Sequence, residues 1–215
     1  MLIKSLGHAK FLLETEAGAR IVTDPFDAST GYPITPVKAD LALVSHHHHD
    51  HDAVDTLDGQ PQVIDTAGVN EPLPGVRVTA VEACHDDQGG ALRGKTLLFL
   101  IEAEGLKIVH LGDLGHLLTP DQVKTLQSPD VLLVPVGGHF TIDASTALKV
   151  CEQLHPRTVV PMHYRTEYNA GWPIQPLSAF LDLYPARAET LQLLRVTEAD
   201  VACQPKLAVL ERTDG

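Results

Sequence analysis

Short apolar runs separated by turn residues fill the first half of the chain, a pattern typical of β-strands. Two tight turns separate neighbouring runs, at Glu16-Ala17-Gly18 and at Glu104-Gly105. The run Ala39–Ser45 is mostly apolar, which indicates a buried strand. The pattern predicts strands at Leu2–Leu6, Lys10–Glu14, Ala19–Asp24, Ala39–Ser45, Gln62–Ile64, Val76–Ala83, Thr96–Ala103 and Lys107–Leu111.

Helical patterns alternate with strands after residue 115. The segment Thr119-Pro120-Asp121-Gln122 combines an N-cap, a proline at the first helical position and a capping-box glutamine, so it predicts a helix to about Ser128. Apolar residues share one face of a second predicted helix, Asp143–Leu154. The remaining predictions are strands at Val131–Val136, Thr158–Met162 and Leu207–Leu210 and a helix at Leu177–Leu183.

No linker or low-complexity stretch divides these segments, so we expect a single domain covering residues 1–215. Strands followed by strand–helix units around one core favour two sheets covered by helices. Hydrophobic residues make up 44% of the chain and charged residues 20%, which is ordinary for a globular protein. Disordered and fibrous classes are therefore excluded.

The net charge and the cysteine spacing indicate which binding partners and which cellular compartment to expect. A net charge of −12 disfavours nucleic acid, whose binding needs a surface rich in lysine and arginine. No apolar run approaches the roughly 20 residues that span a bilayer, and no signal-peptide pattern follows Met1. Cys84, Cys151 and Cys203 are odd in number and widely spaced, which does not indicate a disulfide framework. We expect a cytoplasmic protein that acts on a small molecule without a membrane or nucleic-acid partner, and leave a homo-oligomer open.

Histidine is unusually clustered. Five of the 12 histidines lie between positions 46 and 51, directly after a predicted buried strand. In a locally extended chain His46 and His48 point to one face, and Asp50 and His51 follow on the turn. Imidazoles and a carboxylate form a ligand set suited to Zn²⁺, Mn²⁺ or Fe²⁺.

Further candidate ligands follow the later strands. His85, Asp113, His139 and His163 each come directly after, or within a few residues of, a predicted strand. Strand ends gathered on one edge of a sheet form the usual ligand crevice of α/β proteins. The pattern therefore predicts that these side chains meet the histidine cluster.

The order of these residues resembles the metallo-β-lactamase superfamily. The motif His46-x-His48-x-Asp50-His51 is followed by isolated His85, Asp113 and His163. Smaller motifs are similar to those of the L-ascorbate-6-phosphate lactonase group: Leu6-Gly7-His8-Ala9, Thr23-Asp24-Pro25, His110-Leu111-Gly112-Asp113 and Pro161-Met162-His163-Tyr164. The resemblance implies an α+β fold, a four-layer αββα sandwich of two mixed sheets flanked by helices, with metals at one edge.

The resemblance also implies a dinuclear site. His46, His48 and His85 would hold one divalent ion, Asp50, His51 and His163 the second, and Asp113 would bridge them. Zn²⁺ is the first choice, with Mn²⁺ or Fe²⁺ as alternatives. Water bound to such ions ionises near neutral pH, so we expect hydrolysis of an ester, lactone or phosphodiester bond in a small, anionic substrate.

Other roles are predicted around this site. Asp50 is expected to accept a proton as well as to bind metal. His8 is a candidate proton donor or substrate contact, and a backbone-bonded structural role is its alternative. His139 is expected to line the pocket and act in catalysis. Arg165 is the candidate for binding an anionic substrate, and a solvated surface position is its alternative. Asp24 and His116 are expected to orient the ligating imidazoles.

Two further functions remain as alternatives. A redox protein on the same fold would normally carry acidic residues in place of some of these histidines and an added flavodoxin domain. A non-catalytic metal-binding protein would account for the histidines, but ligands spread over about 118 positions, from His46 to His163, favour a preformed site over a flexible chelating tract.

Overall fold

Two mixed β-sheets form the body of the protein, which a computed structural model describes for residues 1–214. The first sheet has six strands in the order β13-β1-β2-β3-β4-β5. Its strands are β1 (Leu2–Gly7), β2 (Lys10–Glu14), β3 (Arg20–Thr23), β4 (Leu41–Leu43), β5 (Gln62–Ile64) and β13 (Leu194–Arg195).

The second sheet has eight strands in the order β12-β14-β11-β10-β9-β8-β7-β6. Neighbouring strands are antiparallel from β6 through β7 and β8 to β9. From β9 through β10, β11 and β14 to β12 the neighbours are parallel. These strands are β6 (Gly68–Leu73), β7 (Val76–Cys84), β8 (Lys95–Ala103), β9 (Leu106–His110), β10 (Val131–Pro135), β11 (Thr158–Met162), β12 (Ala188–Leu191) and β14 (Leu207–Leu210).

Helices cover the outer face of the second sheet. They are α1 (Pro120–Leu126), α2 (Ala144–Leu154) and α3 (Ser178–Leu181). The capping box predicted at Thr119 and Gln122 is present at the start of α1. Buried residues of all three helices pack in one cluster with residues of β8, β9, β10, β11 and β14.

The largest apolar cluster lies between the two sheets and includes Ile3, Leu13, Phe99 and Met162. A smaller one covers the outer face of the first sheet, where Leu12 and Val22 pack against Val37 and Leu57. Val37 and Leu57 belong to loops, and a 3-10 turn at Val54–Thr56 lies beside them. The predicted two-sheet α+β sandwich is thus confirmed, with loops and short 3-10 turns in place of long helices on this side.

The structure also contains elements that the hydrophobic pattern did not predict. Strand β6 contains Pro72, starts at Gly68 and has few buried residues, so it has the composition of a turn. Strands β12 and β13 are short and lie at sheet edges. Helix α3 is shorter than predicted. Edge strands bury little apolar surface, so their sequences carry a weak signal.

The pairing pattern brings many strand ends to one edge. Strands β7, β9, β10 and β11 run in the same direction, as do β1, β3 and β4 in the first sheet. The loops after these strands carry the candidate site residues. A separate observation is that none of the helices in residues 1–214 is long and apolar enough to cross a bilayer.

Candidate metal centre

The seven predicted ligands lie together at one edge of the two sheets. His46 to His51 follow β4, His85 follows β7, Asp113 follows β9, and His163 follows β11. Six of the seven are buried, and His48 is exposed. Donor atoms from these residues fall into groups whose members lie within 4.8 Å of one another.

Asp113 stands at the centre of the cluster. Its Oδ2 lies 3.2 Å from His85 Nε2 and 3.3 Å from His163 Nε2. The other oxygen, Oδ1, lies 3.3 Å from His51 Nε2. One carboxylate therefore faces imidazoles from three different loops, which is the arrangement a bridging ligand needs.

One group of donors contains His46, His48 and His85. His46 Nε2 lies 2.9 Å from His48 Nδ1 and 3.9 Å from Asp113 Oδ2. The other ring nitrogen of His46 is 2.9 Å from the hydroxyl of Ser45. This contact fixes the ring so that Nε2 points into the cluster.

The second group contains His8, Asp50, His51 and His163. Asp50 Oδ2 lies 3.2 Å from His8 Nε2 and 3.5 Å from His51 Nε2. The rings of His8 and His163 have centroids 4.0 Å apart. The structure therefore brings His8 into the cluster through Asp50, with its side chain fully buried.

Asp24 orients His51 and Ser45. The Nδ1–H of His51 faces Asp24 Oδ2 at 2.9 Å, and Ser45 donates its backbone N–H and its hydroxyl to the same carboxylate at 2.7 and 2.9 Å. A carboxylate behind a ligating imidazole fixes its tautomer and raises its basicity. Nε2 of His51 is thereby left as the nitrogen that faces Asp113.

The pKa values reflect burial and the density of charge. Burial lowers the pKa of His46 to about 3, and burial also lowers the pKa of His85. Burial alone would raise the pKa of Asp113, but His163 and His51 hold that pKa well below its usual range. At neutral pH His46 and His85 are neutral and Asp113 is ionised, as metal ligands must be.

His51 shows how strongly the cluster attracts positive charge. Burial alone would lower its pKa, but Asp113 and Asp24 raise it well above the ordinary value. Burial lowers the pKa of His8 to about 4, and the charge of His163 adds to the effect. His8 is therefore a neutral neighbour of Asp50 near pH 7.

Buried polar atoms without partners test whether metal ions fit this cluster. His51 Nε2, His163 Nε2 and Asp113 Oδ1 are buried and have no hydrogen-bond partner within residues 1–214. An unsatisfied buried polar atom normally costs about 1–3 kcal/mol. These atoms converge on one another, so divalent cations fit the residues present.

Close backbone packing holds two of the ligand loops. Gly112 has φ 47°, and a Cβ there would lie 2.7 Å from the carbonyl oxygen of Leu97. A Cβ on Gly115 would lie 2.2 Å from the backbone nitrogen of Asp86 and 2.4 Å from the carbonyl carbon of His85. Gly112 thus lets the loop that carries Asp113 lie against β8, and Gly115 lets it lie against the loop that carries His85.

Two polar residues that the sequence analysis did not select support the same loops. Buried His110 donates Nε2–H to the carbonyl of Ala9 at 3.0 Å and accepts from the N–H of Gly112 at 3.1 Å. Thr96 accepts from the N–H of Asp113 at 3.3 Å. A histidine within an apolar strand, three residues before a ligand, was the available signal for the first of these roles.

A cavity of about 590 Å³ opens beside the cluster and gives access to it. Apolar and aromatic groups share its wall with four of the predicted ligands. The lining residues are Ser29, His48, His49, Asp50, His85, Arg93, Asp113, Phe140, Gly171, Trp172 and Pro173.

The predicted residues His116, His139 and Arg165 are among those that lie outside this cavity wall. His139 and His116 line a neighbouring cavity of about 530 Å³. His116 accepts from the N–H of Cys84, directly before the predicted ligand His85, at 3.0 Å, and its other ring nitrogen lies 2.7 Å from the carbonyl oxygen of Leu117, so both nitrogens contact backbone. Arg165 is exposed, and its backbone pairs with Gln175 at 2.9 Å.

The loop after His85 is folded around a single carboxylate. Asp86 accepts hydrogen bonds from the backbone amides of Gln88, Gly90, Leu92 and Arg93 at 2.8 to 2.9 Å. Burial would raise the pKa of Asp86, but these amides lower it to about 2. The loop is thus held in one conformation beside the cavity.

Comparison with known proteins agrees with this geometry. Residues 2–163 match the family model described as a beta-lactamase superfamily domain. The chain is 35% identical to a UPF0173 metal-dependent hydrolase of Thermococcus onnurineus, a match that covers 89% of this chain and 95% of that protein. The chain belongs to the metallo-β-lactamase superfamily and is a metal-dependent hydrolase.

Other relatives of the hydrolase fit the same assignment. A UPF0173 metal-dependent hydrolase of Archaeoglobus fulgidus is 33% identical, over 77% of this chain and 84% of that protein. The crystal structure of a candidate zinc-dependent hydrolase of the superfamily from Thermotoga maritima is 39% identical, has a TM-score of 0.79 and covers 97% of both chains. The predicted family and enzyme class are confirmed.

Proposed function

We propose that the hydrolase uses a dinuclear metal centre to cleave an ester, lactone or phosphodiester bond of a small substrate. The observation that carries this proposal is the position of Asp113, whose two oxygens face His51, His85 and His163 at 3.2 to 3.3 Å. Two divalent ions held here supply Lewis acidity and an ionised water at neutral pH.

We assign His46, His48 and His85 to one ion and Asp50, His51 and His163 to the other, with Asp113 between them. This division is supported by the group His46, His48 and His85 and by the group that joins Asp50, His51 and His163 with His8; a third group, His46, His51 and Asp113, connects the two. Zn²⁺ is the proposed metal, because borderline imidazole and carboxylate ligands suit it, with Mn²⁺ and Fe²⁺ as alternatives.

Asp50 is the proposed proton acceptor as well as a ligand. It lines the cavity, so its carboxylate is within reach of a substrate. Burial would raise its pKa, but contacts with His51 and His8 hold the pKa far below the ordinary value. His8 is proposed to orient this carboxylate, because its fully buried side chain places Nε2 3.2 Å from Asp50 Oδ2.

Elemental analysis of untreated protein, followed by turnover assays, tests the proposal. Phosphodiester, lactone and ester substrates are offered to protein loaded with Zn²⁺ or Mn²⁺. We expect metal-dependent turnover of at least one class, removed by a chelator and restored by the ion. Full metal occupancy with no turnover of any class would contradict the proposed chemistry.

A matched pair of histidine variants adds a control. His48→Ala removes a donor that lies 2.9 Å from His46. His47→Ala removes a neighbouring histidine whose side chain is 67% exposed and lies outside the donor groups. The first variant is expected to lose metal and turnover, and the second to retain both.

A further inference from the structure

Arg93 is the one lysine or arginine, within the described residues, that lines the cavity beside the metal-binding cluster. Its side chain is half-buried. Within residues 1–214 no carboxylate lies within 4.0 Å of its guanidinium. By contrast, Arg20, Arg77, Arg157 and Arg212 each pair with a carboxylate. Arg93 thus presents an unpaired positive charge to the cavity.

Both ends of Arg93 are held in place. Its backbone N–H donates to Asp86 at 2.8 Å, and Asp86 directly follows the proposed ligand His85. Its guanidinium carbon lies 5.8 Å from the centroid of the Phe140 ring, within range of a cation–π interaction. The position of the guanidinium is therefore coupled to the loop that carries a metal ligand.

The surroundings favour a substrate with an anionic end and an apolar part. A guanidinium binds carboxylate and phosphate oxygens through two parallel N–H donors. Phe140, Trp172 and Pro173 give the same cavity an apolar wall. Arg93 also lines the neighbouring cavity that contains His139, so it stands where the two cavities meet.

We propose that Arg93 binds a carboxylate or phosphate group of the substrate and thereby makes the hydrolase selective for anionic substrates. The assignment rests on the proposed function, because the bond to be cleaved must lie at the cluster when the anion lies at Arg93. It differs from the sequence-based prediction, which gave this role to Arg165.

Anion titration of the zinc-loaded protein tests the assignment. Trp172 is the single tryptophan of the chain and lines the cavity, so its fluorescence reports binding there. Inorganic phosphate and butyrate are titrated separately, which distinguishes a phosphate site from a carboxylate site. We expect saturable binding of at least one anion.

Two arginine variants test whether Arg93 is responsible for anion binding. Loss of a charge-assisted pair costs about 1.5–3 kcal/mol, so Arg93→Gln is expected to raise the Kd at least about tenfold. Arg165→Gln, which changes an exposed arginine outside the cavity wall, is expected to keep the wild-type Kd. An unchanged Kd in Arg93→Gln, or no binding of either anion by wild type, would overturn the assignment.

Turnover separates this assignment from the proposed function. The ratio of kcat/KM for 4-nitrophenyl hemisuccinate over that for neutral 4-nitrophenyl acetate is expected to fall at least about tenfold in Arg93→Gln. Absence of metal-dependent turnover alongside Arg93-dependent anion binding would count against the proposed chemistry alone. Turnover with a ratio unchanged by Arg93→Gln would overturn the selectivity assigned to Arg93.

Discussion

His51 and Asp24 form a fully buried pair in which Nδ1 of the imidazole lies 2.9 Å from Oδ2 of the carboxylate. The pair connects the loop after β3 with the histidine cluster after β4. Asp24 also has φ 40°, a left-handed conformation that is uncommon for aspartate. The backbone at this position is held in a costly conformation that brings its carboxylate to His51 and Ser45.

Asp24→Asn is the first test of this arrangement. An amide lacks the negative charge with which Asp24 fixes the tautomer of His51 and raises its basicity. We therefore expect zinc affinity to fall about 10- to 100-fold. Competition with a chromogenic chelator measures the change. Asp27→Asn is the matched control, since Asp27 is half-buried and faces His49, which is not among the proposed ligands. Equal zinc affinity in Asp24→Asn and wild type would show that the pair has no effect on metal binding.

Gly115→Ala tests the close approach of two ligand loops. The new Cβ would overlap the backbone of His85 and Asp86, so the loops must separate. We expect a loss of about 1–3 kcal/mol in the free energy of unfolding, measured by urea denaturation, together with weaker zinc binding. Gly171→Ala has open space around its Cβ and serves as the control. Wild-type stability in Gly115→Ala would contradict the proposed packing role.

The sequence was sufficient to predict where the buried strands end and that candidate ligands gather at those ends. The buried strand β11 is apolar after its first residue, and the candidate ligand His163 follows it directly. Arg93 could not be found in this way, because its place in the cavity depends on how the loop folds around Asp86. Arg165 follows the predicted ligand His163 by two residues, but His163 has φ 53° and the N–H of Arg165 donates to the carbonyl of Gln175. The sequence alone does not show that the backbone turns at this point.

Asp143 gives a prediction for acid pH away from the metal centre. Its carboxylate caps α2 by accepting from the N–H of Thr146 at 2.8 Å. Burial would raise the pKa of Asp143, but the contacts with Thr146 lower it. The cap therefore stabilises the fold above the unfolded pKa of about 4, and this contribution is lost as the pH falls through the lower folded value.

Two variants of Asp143 isolate the effect. Asp143→Ala is expected to lower the free energy of unfolding by about 1 kcal/mol at pH 7. Asp143→Asn caps comparably but does not titrate, so it should gain stability relative to wild type as the pH falls below about 4. Urea denaturation from pH 7 to pH 3 measures both differences. A constant difference between Asp143→Asn and wild type over that range would refute the role of the charge.

Metal stoichiometry in Asp113→Ala tests the central claim most directly. Asp113 faces three imidazoles from three loops, so its removal takes a contact from each of these loops. Elemental analysis after dialysis against zinc should give two ions per chain for wild type and a marked loss, with loss of turnover, for Asp113→Ala. Circular dichroism checks that the variant is folded. Two zinc ions per chain and unchanged turnover in the folded variant would contradict a dinuclear centre built around Asp113.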